Sequence, residues 1–249
     1  MKKILLFILL ASISSLNINA QHSASQKSIS QLKKDTTTSI WKQAIAPVTL
    51  ISFGILANNS SFEKEFQINL RNRVGNDFQL GIDDFLPFVP TAQMYLADLV
   101  GIEARNHWFD QSKYAFASTV LSMSMTYSIK YLVQKTRPDG ENFAFPSGHT
   151  TFAFSNATVL LKEFQSTSPI LAYSGYLSAV STGTLRVTNN KHWISDVLIG
   201  AGIGILATEL IYHFEPLKSW NPFLKKKNMT LLPQLDASSY GFYYACRIL

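Results

Sequence analysis

Beyond residue 26, two stretches of this chain run without a charged residue for as long as a membrane crossing requires. Residues 43–62 hold 20 uncharged positions and residues 164–185 hold 22. About 20 mostly apolar residues in a helix cross a bilayer. A third stretch, 114–129, holds 16, while the windows 86–97 and 197–208 hold 12 each. Only 15% of the 249 residues are charged, against about 25% in an ordinary soluble domain. Apolar residues make up 47%. A chain of this composition buries most of its surface or meets lipid. Disorder, a coiled coil and a highly charged nucleic-acid binder are excluded.

The 22 basic and 16 acidic side chains leave a net charge of +6. Part of the excess sits in Lys33-Lys34 and Lys225-Lys226-Lys227. A modest positive balance suits anionic lipid or phosphate, and serves solubility equally well. The single cysteine, Cys246, rules out an intrachain disulfide and a zinc finger.

The N-terminus reads as a targeting segment. Lys2 and Lys3 precede the apolar run Ile4–Leu10, and Ala20 offers a small residue at a cut before Gln21. That is the layout of a secretory signal over residues 1–20, with an uncleaved anchor as the alternative. Residues 21–42 are a polar leader, and the chain after the signal belongs outside the cytoplasm.

The remainder reads as helix over 43–57, 88–104, 112–133, 148–164, 169–184 and 193–213. Residues 58–84 read as polar and turn-rich, and 137–147 as loop from Arg-Pro-Asp-Gly and Pro-Ser-Gly. Gly200 and Gly204 permit close helix contact. The tail, 214–249, carries two apolar runs, 229–235 and 240–249, around Ser238-Ser239, the pattern of a β-hairpin. If residue 21 lies outside, crossings at 43–62, 86–104 and 112–129 would put residues 130–150 in the cytoplasm. At least one of the three then does not cross, or the bundle rests on the membrane or is soluble.

Three clusters carry chemistry. Lys130 and Arg137 stand seven apart, two helical turns, with Pro138 ending the helix. Two cations there could converge on a phosphate, or simply answer the helix dipole. Pro146-Ser147-Gly148-His149 precedes an apolar helical run. Ser147 can cap that helix, the amides near Ser147 and Gly148 can hold an anion, and His149 would sit beside it. A plain capped turn with an incidental histidine fits the same residues. Arg186 precedes His192, and Asp196 follows at i+4. An Asp on one ring nitrogen fixes the tautomer and leaves the other free as nucleophile. A surface i,i+4 pair remains the alternative.

In this order and spacing the clusters resemble the type 2 phosphatidic acid phosphatase and vanadium haloperoxidase superfamily. Its pattern is Lys, six residues, Arg-Pro; Pro-Ser-Gly-His; then Ser-Arg, five residues, His, three residues, Asp. The chain departs once, with Leu185 in place of the serine. The resemblance covers residues 86–213. It implies an all-α bundle, here of about six helices, with the three motifs at one end. It implies His192 as nucleophile through a phosphohistidine, Asp196 orienting it, and His149 protonating the leaving group and later activating water. Lys130, Arg137, Arg186, Ser147 and Gly148 would hold the phosphoryl oxygens, with no metal and no cofactor. The short connection between Pro138 and Pro146 resembles the family's membrane lipid phosphatases, so the expected substrate is a lipid phosphate or pyrophosphate at the cell envelope. A soluble periplasmic acid phosphatase, a vanadate haloperoxidase and a non-catalytic headgroup-binding protein are the alternatives.

Overall fold

The computed structural model describes residues 40–216, 218, 220–223, 229–236 and 239–246. The signal segment, most of the leader and the two lysine runs lie outside the described residues. Among the described residues there are seven α-helices: α1 (Ile40–Ala57), α2 (Ser61–Val74), α3 (Val89–Leu99), α4 (Trp108–Val133), α5 (Gly148–Phe164), α6 (Pro169–Thr188) and α7 (Ile194–Phe214). Two short 3-10 turns, Gly81–Asp84 and Leu86–Phe88, lead into α3. The tail forms the expected antiparallel pair, β1 (Met229–Asp236) and β2 (Ser239–Cys246), running from Met229 opposite Cys246 to Asp236 opposite Ser239.

The polar stretch 58–84 holds a helix that the sequence reading placed in turns. The charge-free window 43–62 is therefore not one helix: α1 stops at Ala57, Asn59 turns left-handed with φ of 58°, and α2 leaves at 89°. Ser60 starts α2 by accepting the Glu63 N–H at 3.1 Å, while the Glu63 carboxylate accepts the Asn59 N–H at 2.9 Å. The window 164–185 is also interrupted, by the turn between α5 and α6. The helix expected over 88–104 is the 11-residue α3. Among the described residues α7 alone is long and apolar enough to cross a membrane, and most of it is buried within the bundle.

Helix α5 lies at the centre, against α3, α4, α6 and α7, and α1 covers the far side of α7. Met94, Tyr114, Leu160, Phe164 and Tyr212 fill one end of the core, and Ala153, Ala157 and Ala179 let α5 and α6 approach. Helix α4 packs differently. Its buried stripe is Tyr114, Ser118, Ser122, Thr126 and Lys130, one residue per turn, while Phe116, Val120 and Tyr127 face outward. Small hydroxyls sit inside and large apolar groups outside, and the Thr126 hydroxyl bonds that of Thr151 on α5 at 3.0 Å. That inversion explains why the apolar spacing of this segment looked mixed in the sequence.

Two glycines of α7 are required by contact rather than by backbone angle. A methyl at Gly204 would stand 2.4 Å from the Thr151 carbonyl, and one at Gly200 would stand 2.7 Å from the Ser147 carbonyl. Both neighbours are backbone, so α5 itself would have to move. Overpacking of this kind costs about 1–3 kcal/mol, or roughly 2–10 °C in Tm for a chain this size. Gly204→Ala is expected to lower the thermal midpoint by that amount. An unchanged midpoint would mean that α5 and α7 are not in backbone contact.

Candidate active site

The residues singled out in the sequence lie where four helix ends meet: the C-termini of α4 and α6 and the N-termini of α5 and α7. Lys130 is in the last turn of α4. The helix ends at Val133, with left-handed Gln134 after it, so Arg137 stands in the loop. This corrects the expectation that one helix face carries both cations. Arg186 is in the last turn of α6 rather than in a loop. His192 precedes α7 by two residues, so the i,i+4 helix pair with Asp196 is really a loop-to-helix contact.

The loop holding His192 is fixed from several directions. The N–H groups of Lys191 and His192 both donate to the Arg186 carbonyl, at 3.0 and 3.1 Å. From α2, Gln67 donates to Val187 O and Asn190 Oδ1, and Arg71 to Thr188 O. Asn189 holds Leu80 through both backbone groups at 3.0 Å. Trp193 donates its ring N–H to Thr136 O at 2.8 Å.

Asp196 is wholly buried. Its Oδ2 accepts the Trp193 N–H at 2.8 Å and lies 3.5 Å from His192 Nδ1. The other ring nitrogen, Nε2, is thereby the one left for chemistry. His192 is itself 2% exposed. Burial pushes its pKa down to about 4; Asp196 opposes that shift, and Arg186 and Lys130 add to it. The ring is therefore neutral, with a free lone pair, at every pH well above that value.

His149 lies in the first turn of α5 with its Nε2 3.1 Å from Asp84. Burial and the Arg186 charge lower its pKa, while Asp84 and Asp83 raise it. The Arg186 charge thus acts on both histidines. Nη1 of Arg186 donates to buried Asp83 at 3.0 Å and stands 3.6 Å from Asp84. Arg137 pairs with Glu141. Yet Nε of Arg137 and Nε of Arg186 are both buried without a protein partner. Buried N–H donors are rarely left unpaired, and a tetrahedral anion is an acceptor both guanidinium groups could share.

Two expectations for Ser147 change. It occupies the N-cap position of α5, but its side chain makes no capping bond and instead accepts from the Thr150 hydroxyl at 2.9 Å. Its backbone N–H is already donated to the Asp196 carbonyl at 3.0 Å. Gly148 keeps its openness: a methyl there would meet only Met123, at 3.8 Å.

Sequence reasoning missed the groups behind Asp196. Lys135 Nζ donates to Asp196 Oδ1 at 3.0 Å, to Ser195 Oγ at 2.9 Å and to both Glu63 oxygens, at 3.1 and 3.2 Å. The available signal was Ser60-x-x-Glu63, a helix-start pattern inside the segment read as turns.

A lipid A 1-phosphatase from Porphyromonas gingivalis is 34% identical over 186 residues, which is 72% of this chain and 42% of that protein's length. A transmembrane phosphatidylglycerolphosphate phosphatase from Bacillus subtilis aligns over 72% of this chain and 99% of its own, at 20% identity and a TM-score of 0.49. LpxE from Aquifex aeolicus aligns over 62% and 97%, at 20% identity and 0.46. Residues 112–220, which contain all three motifs, match the PAP2 superfamily.

Proposed function

We propose that the chain is a metal-independent phosphohydrolase that removes phosphate from a lipid phosphate or lipid pyrophosphate through a phosphohistidine. The observation that carries this reading is a buried imidazole, His192, with Arg186 and Lys130 as the cations acting on it, together with Nε–H donors on Arg186 and Arg137 that lack protein partners. Such a pocket accepts a tetrahedral oxyanion and presents a nucleophile to its centre.

The steps of this reading are those that the family resemblance implies. Nε2 of His192 attacks phosphorus as the bond to the leaving oxygen breaks. Asp196, on the Nδ1 side, stabilises the cation that forms on the ring. His149 gives its proton to the leaving alkoxide, and Asp84 favours the charged form that can do so. Water then attacks the phosphoryl group, His149 takes its proton, the P–N bond breaks and inorganic phosphate leaves. Lys130, Arg137 and Arg186 balance the charge on the non-bridging oxygens, with Gly148 N–H and the Ser147 hydroxyl as further donors. Phosphoryl transfer needs little beyond in-line positioning and such charge.

The lipid assignment has its own support. Large apolar side chains stand exposed on three helices: Trp41, Phe53 and Leu56 on α1, Phe116 and Val120 on α4, Ile170 and Leu177 on α6. Apolar surface on this scale fits an apolar partner, and the small-polar interior of α4 fits helix packing in lipid. The likeness to a lipid A 1-phosphatase makes glycolipid 1-phosphates the first substrates to try, followed by phosphatidic acid, phosphatidylglycerol phosphate and undecaprenyl pyrophosphate. The expected setting is the cell envelope, with the site on the periplasmic side.

The deciding assay is phosphate release by the full chain in detergent with EDTA, over that lipid panel and one soluble phosphomonoester. Release from a lipid supports the reading; turnover of the soluble ester alone overturns the lipid assignment. His192→Ala is expected to reduce kcat more than about 10³-fold and to abolish acid-quenched phosphoenzyme. Label persisting in that variant would move the nucleophile elsewhere. Arg137→Lys keeps the charge and loses the planar fork, so kcat/KM is expected to fall about 10-fold or more; near-wild-type kinetics would refute a guanidinium clamp.

The pH profile has a signed expectation. The nucleophile is lost only as His192 protonates, near pH 4. The acid is lost as His149 deprotonates, below its ordinary value of 6.5. Activity should therefore peak on the acid side of that value. Removing the Asp84 carboxylate destabilises imidazolium, so Asp84→Asn should shift the alkaline limb of kcat/KM to lower pH. A limb that stays in place would mean that Asp84 does not act on the proton donor.

A further inference from the structure

Helix α2 lies outside the matched segment 112–220, yet it places a carboxylate behind Asp196, on the far side of Lys135. Glu63 is 1% exposed and pairs with Lys135 at 3.1 Å. Lys135 in turn sits between Glu63 and Asp196, with all three side chains buried. The Lys130–Arg137 segment delivers this lysine, so the last turn of α4 and the loop after it supply two groups to the phosphate side and one to the rear of the site.

We infer that Lys135 and Glu63 are positioning residues for the hydrolysis: a buried ion pair that fixes the Asp196 carboxylate and sets how much negative charge it presents to His192. The inference rests on the phosphohydrolase reading above.

The hydrogen-bond count gives the first argument. An ammonium has three protons, and four oxygens surround this one: two from Glu63, Oγ of Ser195 and Oδ1 of Asp196. Asp196 divides its oxygens accordingly. Oδ1 belongs to Lys135, and Oδ2 accepts the Trp193 N–H and faces His192 Nδ1. A carboxylate held at both oxygens cannot rotate away from the ring. Glu63 is held as firmly, by the N–H groups of Asn59 and Ser195.

Charge gives the second. Lys135 alone would neutralise Asp196, the group meant to favour positive charge on His192. With Glu63 present, two carboxylates and one ammonium leave the cluster at −1. Phosphorylation at Nε2 makes the ring cationic, so cluster and ring together become neutral as the intermediate forms. In a buried site that balance acts with little solvent screening. The other charges facing His192 are Arg186 from α6 and Lys130 from α4, both committed in this reading to the phosphate.

A mere staple joining α2 to α7 would affect folding and leave turnover per folded molecule unchanged. The test therefore compares Glu63→Gln, which keeps shape and loses charge, with Glu63→Asp, which keeps charge and loses reach. Each is purified as the full chain and normalised to folded protein by thermal unfolding. Glu63→Gln is expected to lower kcat and the rate of phosphoenzyme formation about 10-fold or more, with KM within about twofold because no phosphate contact changes. Glu63→Asp should recover much of that loss. If Glu63→Gln does not fold, Lys135→Arg serves: it keeps the charge, changes the contact on Oδ1, and should lower kcat with KM held. Unchanged kcat in the folded variant, a loss confined to KM, or equal losses in the Gln and Asp variants would overturn the inference. A wild-type chain that hydrolyses no phosphate ester would overturn the phosphohydrolase reading instead.

Discussion

The carboxylate of Asp196 has no access to solvent, and the arrangement around it follows from satisfying that charge. Its side chain takes the first amide before α7, the ammonium of Lys135 and the flank of His192. Its backbone carbonyl takes the Ser147 N–H and so ties the start of α5 to the start of α7. A buried charge stripped of partners costs several kcal/mol. Loops from α4 and α6 and helix α2 are therefore held in register by one group, and the motif residues converge because their elements share it.

The outside of the bundle follows a different rule from its inside. Helix α4 buries hydroxyls at every turn and exposes aromatic and aliphatic side chains, while α1 and α6 also expose large apolar groups. In water the hydrophobic effect would favour the reverse. In lipid there is nothing to gain by burying leucine, and close contact between small residues drives packing instead. Gly200 and Gly204 on α7 serve the same end by admitting the α5 backbone. The proposed substrate would then reach a charged pocket from an apolar surroundings, its chain in contact with the exposed helices and its phosphate at their ends.

The charged residues of the candidate site stand out in the sequence because each occupies a spacing that secondary structure alone does not demand. Lys130, Arg137, His149, Arg186, His192 and Asp196 fall at the ends of elements that the periodicity already located. Boundaries were less readable. Pro138 suggested a helix reaching Arg137, but the left-handed turn at Gln134 ends it earlier. Absence of charge over 43–62 suggested one span, but the Asn-Asn turn bends the chain there. Helix α2 was hidden for a physical reason: its sequence, SFEKEFQINLRNRV, is polar on most faces, because the face it buries is polar too. Glu63 and Gln67 are buried to make ion-pair and hydrogen-bond contacts, which hydrophobic periodicity does not detect.

The convergence on one oxyanion can be seen directly by determining the structure of the full chain with orthovanadate, a stable analogue of the phosphoryl group in transfer. The account predicts vanadium at bonding distance from Nε2 of His192, with its oxygens on Lys130, Arg137 and Arg186 and His149 on the opposite side. Vanadate seated elsewhere, or held at the histidine with both guanidinium groups turned away, would contradict it.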